Sequence, residues 1–224
     1  MIMPRFYRAL YLSALLSTSY VHAEVVSEDQ NFWKDVSRYG KAQSELQKAE
    51  IEKQLWATYG KTTTVVVIDT SGFTLRSIDE GIISTLVVIN ELRNIITQLM
   101  KDSSTGSIIK FDADNAFLRF DKPDDALITI KKIREQLSTS YINKGHQHQI
   151  YISTGIGYGP ILLLEHDAFS KTFNLASKLG EDTAEANEIL LTEEAYKALK
   201  HPVKAEEKEV EVSHVKIKYY KIIE

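Results

Sequence analysis

Seven consecutive residues, Thr62-Thr63-Thr64-Val65-Val66-Val67-Ile68, are β-branched. Branching at Cβ stiffens χ1, disfavours a helix and packs well on a pleated surface. The run has no polar alternation across Val65 to Ile68, which predicts a fully buried strand. A turn, Asp69-Thr70-Ser71-Gly72, follows at once. A carboxylate therefore stands at the mouth of the sheet to which this strand belongs. Whatever else the chain does, it builds around this segment.

The flanking pattern supplies the remaining elements. Residues 30–58 carry Phe32, Trp33, Val36, Tyr39, Leu46, Ile51, Leu55 and Trp56 at roughly helical spacing, and Tyr59-Gly60 closes them with a C-cap glycine. They read as one lead-in helix. A long helix is expected over 80–101 with Ile82, Ile83, Leu86, Ile89, Leu92, Ile96 and Leu99 on its apolar face. Residues 107–111 and 116–120 flank Asp112-Ala113-Asp114-Asn115 and read as a hairpin. A helix over 124–140 buries Ala126, Ile128, Ile130, Ile133 and Leu137. Residues 149–157 and 160–164 read as a strand pair, 169–179 as a helix, 188–191 as a strand, 193–200 as a helix and 215–223 as a last strand. Residues 206–211 read as a charged loop. The order is β-α-ββ-α-ββ-α-β-α-β, without repeats or low-complexity linkers.

Composition removes several classes of function. Of 224 residues, 43% are hydrophobic and 26% charged, the balance of a globular domain. The net charge of −4 argues against general affinity for nucleic-acid backbones. Cysteine is absent, which excludes disulfides, thiolate metal sites and a cysteine nucleophile. Residues 1–23 read two ways. Arg5 and Arg8 precede a modest apolar stretch ending at Val21-His22-Ala23, as in a signal peptide, but the same stretch suits a leader helix. It is too short to span a bilayer, so membrane contact is expected only if this segment is retained. Residues 24–60 form the helical lead-in and 61–224 the main domain.

Three constellations carry chemistry. In Asp69-Thr70-Ser71-Gly72-Phe73-Thr74, a strand-end carboxylate is followed by backbone N–H groups that can hold phosphate oxygens. The same residues also suit a simple helix cap. In Lys110-Phe111-Asp112-Ala113-Asp114, two carboxylates sit two apart at a hairpin tip, and Lys110 interrupts an apolar strand, where an ammonium needs a partner. Asp and Asn there also suit ordinary turn chemistry. In Asp167-Ala168-Phe169-Ser170-Lys171-Thr172-Phe173-Asn174-Leu175-Ala176-Ser177-Lys178-Leu179, Asn174 and Lys178 share one helix face, pointing either at a ligand or at solvent.

Taken in order and at this spacing, these motifs resemble the catalytic domain of class III adenylate and guanylate cyclases, over about residues 62–199. The resemblance implies an α/β (α+β) ferredoxin-like cyclase fold: a mostly antiparallel sheet with helices on one face, after an N-terminal helix. It implies conversion of ATP to 3′,5′-cyclic AMP and pyrophosphate by two Mg²⁺ or Mn²⁺ ions at a homodimer interface. Asp69, the Thr70 carbonyl and Asp114 match the metal ligands. Gly72, Phe73 and Thr74 match the phosphate-side backbone. Lys110 and Asp167 match the base-reading pair. Lys donates to adenine N1 and Asp accepts from the 6-amino group. Asn174 matches the ribose-orienting residue, and Lys178 stands where the family usually has a transition-state Arg. A cytoplasmic setting fits the supply of ATP and magnesium, whereas a cleaved leader would mean export.

Four departures qualify the resemblance. Lys178 lacks the planar fork of Arg, Ala113 replaces a usual Gly with Asn115 following Asp114, the loop between Tyr158 and Asp167 is short and lacks the usual glycines, and the C-terminal phosphate-gripping lysine has no clear match, Lys216 and Lys218 being only candidates. They keep open a guanylate or pyrimidine cyclase, or a degenerate domain that only binds nucleotide or dimerises. Two other signals carry little. Gly155-Ile156-Gly157-Tyr158-Gly159 precedes a strand rather than a helix, so it is no dinucleotide loop and fits instead a strand junction near the dimer groove. His146 and His148 lack a third metal ligand.

Overall fold

The computed structural model describes residues 28–101, 103–140, 150–212 and 214–223. The leader expectation for 1–23 and the histidines at 146 and 148 lie outside these residues.

The β-branched run forms β1 (Gly60–Ser71), which pairs antiparallel with β3 (Asn115–Phe120) on one side and β4 (Tyr151–Leu163) on the other. Val65, Val66, Val67 and Ile68 are fully buried. The eight-stranded sheet runs β2 (Gly106–Asp112), β3, β1, β4, β6 (Ile189–Thr192), β8 (Val215–Ile222), β7 (Ala205–Val212), with β5 (Ala168–Phe169) paired to β4. Only the β4–β6 contact is parallel.

Side chains alternate across β1, so its two faces build two cores. Val66 and Ile68 pack beneath α4 (Ile82–Lys101) and α5 (Pro123–Thr139). Val65 and Val67 pack with Phe117, Ile161 and Ala176. The helices are thus not confined to one face. The long pair covers one side, while α6 (Lys171–Ser177) and the π-helical turn Lys178–Thr183 press on the other. Glycines allow that second packing. A Cβ on Gly155 would lie 2.0 Å from the Ala176 carbonyl oxygen, and one on Gly180 would lie 2.8 Å from that of Val67. The glycine run is therefore a helix-docking strip inside a continuous β4, not a junction between two strands.

Four other expectations change. The lead-in is two helices, α1 (Glu28–Lys41) and α2 (Glu45–Tyr59), because Ser44 caps α2 by accepting from the Gln47 N–H while Gln47 Oε1 accepts from the Gln43 N–H. A short α3 (Phe73–Asp79) precedes α4. On α4, Val88, Ile95 and Met100 join Ile89, Leu92 and Ile96 in the core, while Ile82, Ile83 and Leu86 stay exposed; on α5, Leu127 is buried and Ile128 is not. Residues 206–211 belong to β7, whose acidic side chains face lysines on β8, such as Glu207 with Lys218 at 3.0 Å.

Candidate active site

β1 ends by carrying Asp69 and Thr70 to one end of the sheet. Asp69 is partly buried, and its carboxyl is pushed up from 3.8 to about 6, first by that burial and then by the charge of Asp114. Asp114 arrives from the β2–β3 hairpin, 45 positions later in the sequence. The Thr70 hydroxyl donates to Asp114 Oδ2 at 2.8 Å and ties the hairpin to β1. The two acidic residues are thus neighbours that repel each other. Asp112, on the same hairpin, is exposed.

The donors at this end are all oxygen: two carboxylates and the carbonyls of the turn. No group of three or more His, Cys, Asp or Glu side chains suited to a metal gathers among the described residues. That set fits hydrated Mg²⁺ or Mn²⁺, which bind proteins through one or two carboxylates and complete their shell with water and phosphate. It does not fit a closed protein cage.

Gly72 sits at φ 89° directly before α3, a left-handed conformation natural to glycine. Its turn aims the first N–H groups of α3, starting at Phe73 and Thr74, away from any intrahelical acceptor. Gly72, at the N-cap position, has no side chain to cap them.

Lys110 and Asp167, 57 residues apart in sequence, meet at 2.9 Å. A register shift between Ile108 and Lys110 marks a bulge that places Lys110 opposite Phe117. Its ammonium lies 5.3 Å from the Phe117 ring centre, which in turn stacks on Phe173 of α6. Asp167 Oδ1 also accepts from the Ala168 N–H at 2.8 Å. The apolar strand thus tolerates its lysine because an acid and an aromatic face receive it. Both side chains remain about a third exposed.

α6 starts where Ser170 accepts from the Phe173 N–H at 2.9 Å. It presents Asn174 at the surface, and Lys178 begins the π-helical turn with its ammonium 3.9 Å from Asp182. Lys216 and Lys218 are engaged in cross-strand pairs with Glu209 and with Glu207, which gives no support to a phosphate role for them.

Two residues near this end escaped the sequence reading. Glu181, on the surface of the π-helical turn, has a carboxyl raised by partial burial and then by Asp69, Asp182 and Asp112. Arg93 of α4 donates to the Ala113 carbonyl at 2.9 Å. Neither has a local sequence signal, since each depends on the approach of a separate element.

No protein-family model matches the chain, and no curated protein does. Solved structures do. The catalytic core of a rhodopsin-guanylyl cyclase with converted specificity, in complex with ATPαS, superposes with a TM-score of 0.63 at 22% identity, covering 73% of this chain and 98% of that one. The adenylyl cyclase CyaB from P. aeruginosa gives 0.61 at 20% identity, covering 74% and 96%. The guanylate cyclase domain of RhGC from Catenaria anguillulae, in complex with GTP, gives 0.62 at 20% identity, covering 73% and 96%. The chain has the fold of the class III adenylyl and guanylyl cyclase catalytic domains.

Proposed function

We propose that the protein is a class III nucleotidyl cyclase that converts ATP to 3′,5′-cyclic AMP and pyrophosphate as a homodimer. The observation that carries the reading is the convergence of Asp69 and Asp114, bridged by Thr70, at the same end as a free helix start. Asp69, Asp114 and the Thr70 carbonyl would hold two divalent ions, Mg²⁺ or Mn²⁺, which when bound neutralise the triphosphate and acidify the ribose 3′-hydroxyl. Gly72, Phe73 and Thr74 offer backbone N–H groups to the phosphate oxygens. The 3′-oxygen then bonds to the α-phosphorus, the bond to pyrophosphate breaks, and the 3′-proton leaves to solvent.

The other half-site reads the base. Lys110 and Asp167 exchange their mutual contact for adenine N1 and the 6-amino group, while Asn174 orients the ribose and Lys178 offsets charge at the transferring phosphorus. In this arrangement one protomer supplies the carboxylates and its partner supplies Lys110, Asp167, Asn174 and Lys178. The apolar side chains of Leu75, Ile78, Ile82, Ile83 and Leu86 stand exposed on α3 and α4, only a few residues beyond Gly72. A second copy covering them accounts for an apolar face that a monomer would leave wet.

Purified protein assayed with Mn²⁺ and each of ATP, GTP, CTP and UTP tests the proposal, with product identified by mass. Cyclic AMP is expected, with about a 1000-fold loss in Asp69→Ala, the scale of several kcal/mol of metal stabilisation. A different cyclic nucleotide would move the assignment to a guanylate or pyrimidine cyclase. The absence of any product at high protein concentration would favour a nucleotide-binding or dimerisation module, the reading that Lys178 in the place of an Arg favours.

A further inference from the structure

The hairpin that delivers Asp114 is held from behind by a helix. Ala113, the residue before Asp114, has φ 47°, in the left-handed region where an alanine is strained. Hairpin turns of this kind use glycine, asparagine or aspartate to avoid that strain. The turn therefore carries a strain that contacts outside it can offset.

Arg93 supplies such contacts. It lies on α4, and its Nη2 donates to the Ala113 carbonyl at 2.9 Å. Its guanidinium carbon lies 5.1 Å from the centre of the Phe111 ring, on the β2 side of the same turn. Its Nε is buried and makes no hydrogen bond. Burying that donor costs free energy, which the contacts to Ala113 and Phe111 help to offset. The hairpin is thus fixed at two points: Thr70 grips Asp114 from β1, and Arg93 grips the peptide just before it from α4.

We infer that Arg93 is a positioning residue for the metal-binding carboxylate Asp114, holding the strained Ala113 turn so that Asp114 faces Asp69. The inference rests on the cyclase reading for its consequence, but the clamp itself can be tested without catalysis. A lysine keeps a donor and loses the flat stacking surface; a methionine keeps the apolar stem and loses both.

The experiment compares wild type, Arg93→Lys and Arg93→Met, each first checked for a folded thermal transition. Hydrogen exchange of the peptide spanning residues 111–116 reads the clamp, and Mn²⁺ titration of the nucleotide-free protein by electron paramagnetic resonance reads the carboxylates. Arg93→Met is expected to speed exchange in the hairpin at least tenfold and to weaken Mn²⁺ binding at least fivefold. Arg93→Lys should recover part of both. In steady state the Mn²⁺ activation constant should rise while KM for ATP stays within twofold, a split that general destabilisation would not produce. Hairpin exchange within twofold of wild type in Arg93→Met overturns the inference. So does faster exchange with unchanged Mn²⁺ affinity. Wild-type protein that binds no Mn²⁺ at all overturns the metal reading and with it the role of Arg93, even if the exchange result shows the clamp to be real. If Arg93→Met fails to fold, Arg93→Lys decides on the same readouts.

Discussion

The two charged clusters at the site are opposites. Lys110 and Asp167 neutralise each other at 2.9 Å, and the Lys110 ammonium lies over the Phe117 ring. Asp69 and Asp114 repel each other, and Asp69 is raised to about 6 by burial and by its neighbour. The first cluster is satisfied and must give up a contact to bind anything. The second carries uncompensated repulsion, which a bound cation would relieve. Under the proposed function such a two-part site would separate its tasks: the neutral pair would select by exchanging hydrogen bonds, and the acidic pair would capture charge.

Removing the cation-binding half should have the largest effect. Asp114→Ala is expected to lower kcat by about 1000-fold with Mn²⁺ while leaving the fold intact, because only one partly exposed hydrogen bond to Thr70 is lost. Breaking the neutral half should cost less. Asp167→Asn keeps the shape but removes the charge that pairs with Lys110, and leaves a weaker, neutral acceptor for the base. A 10- to 100-fold rise in KM for ATP, roughly one to three kcal/mol, is expected with a smaller change in kcat. If the two variants shift KM and kcat in the same proportion, the division of labour between the clusters is wrong.

Much of this arrangement is legible in the sequence alone. The β-branched run demanded a central strand, and the carboxylate at its end came with it. The Lys110–Asp167 pairing was foreshadowed by an ammonium in an apolar strand, which cannot stay unpartnered. Other features were present in the sequence but outweighed. Ser44 followed by Gln47 is a capping box, yet the apolar spacing across it continued and masked the break. Glycines and Pro160 between residues 155 and 160 looked like an interruption. In β4 the glycines instead make room for α6, and Pro160 lies between the stretches that pair with β6 and β5, where a missing N–H is tolerated. Glutamates 206, 207 and 209 looked like solvated charge until β8 lay opposite them: Lys221 faces Glu206, and Lys218 faces Glu209 and also reaches Glu207, whose direct partner is Tyr220. The contacts of Arg93 and Glu181 had no signal at all, because neither the helix α4 nor the π-helical turn reveals from its own residues which loop it will meet.

The smallest expected effect bears most directly on the contrast between the clusters, since it needs no nucleotide. A carboxylate whose pKa rises on folding binds more protons in the native state than in the unfolded one between about pH 4 and 6. Its contribution to stability is therefore present below the unfolded value of 3.8 and is lost as pH rises through the folded value. Above pH 6 the ionised Asp69 opposes folding. Asp69→Asn removes that charge, so in chelator at pH 8 the variant should be more stable than wild type by about 1–2 kcal/mol, after discounting for solvent screening. At pH 4 the two should converge, and millimolar Mn²⁺ should stabilise wild type alone at pH 8. Denaturant titrations at the two pH values measure this. A variant less stable than wild type at pH 8 would mean that Asp69 is already compensated within the chain, and the acidic cluster would then be no more in need of a cation than the Lys110–Asp167 pair.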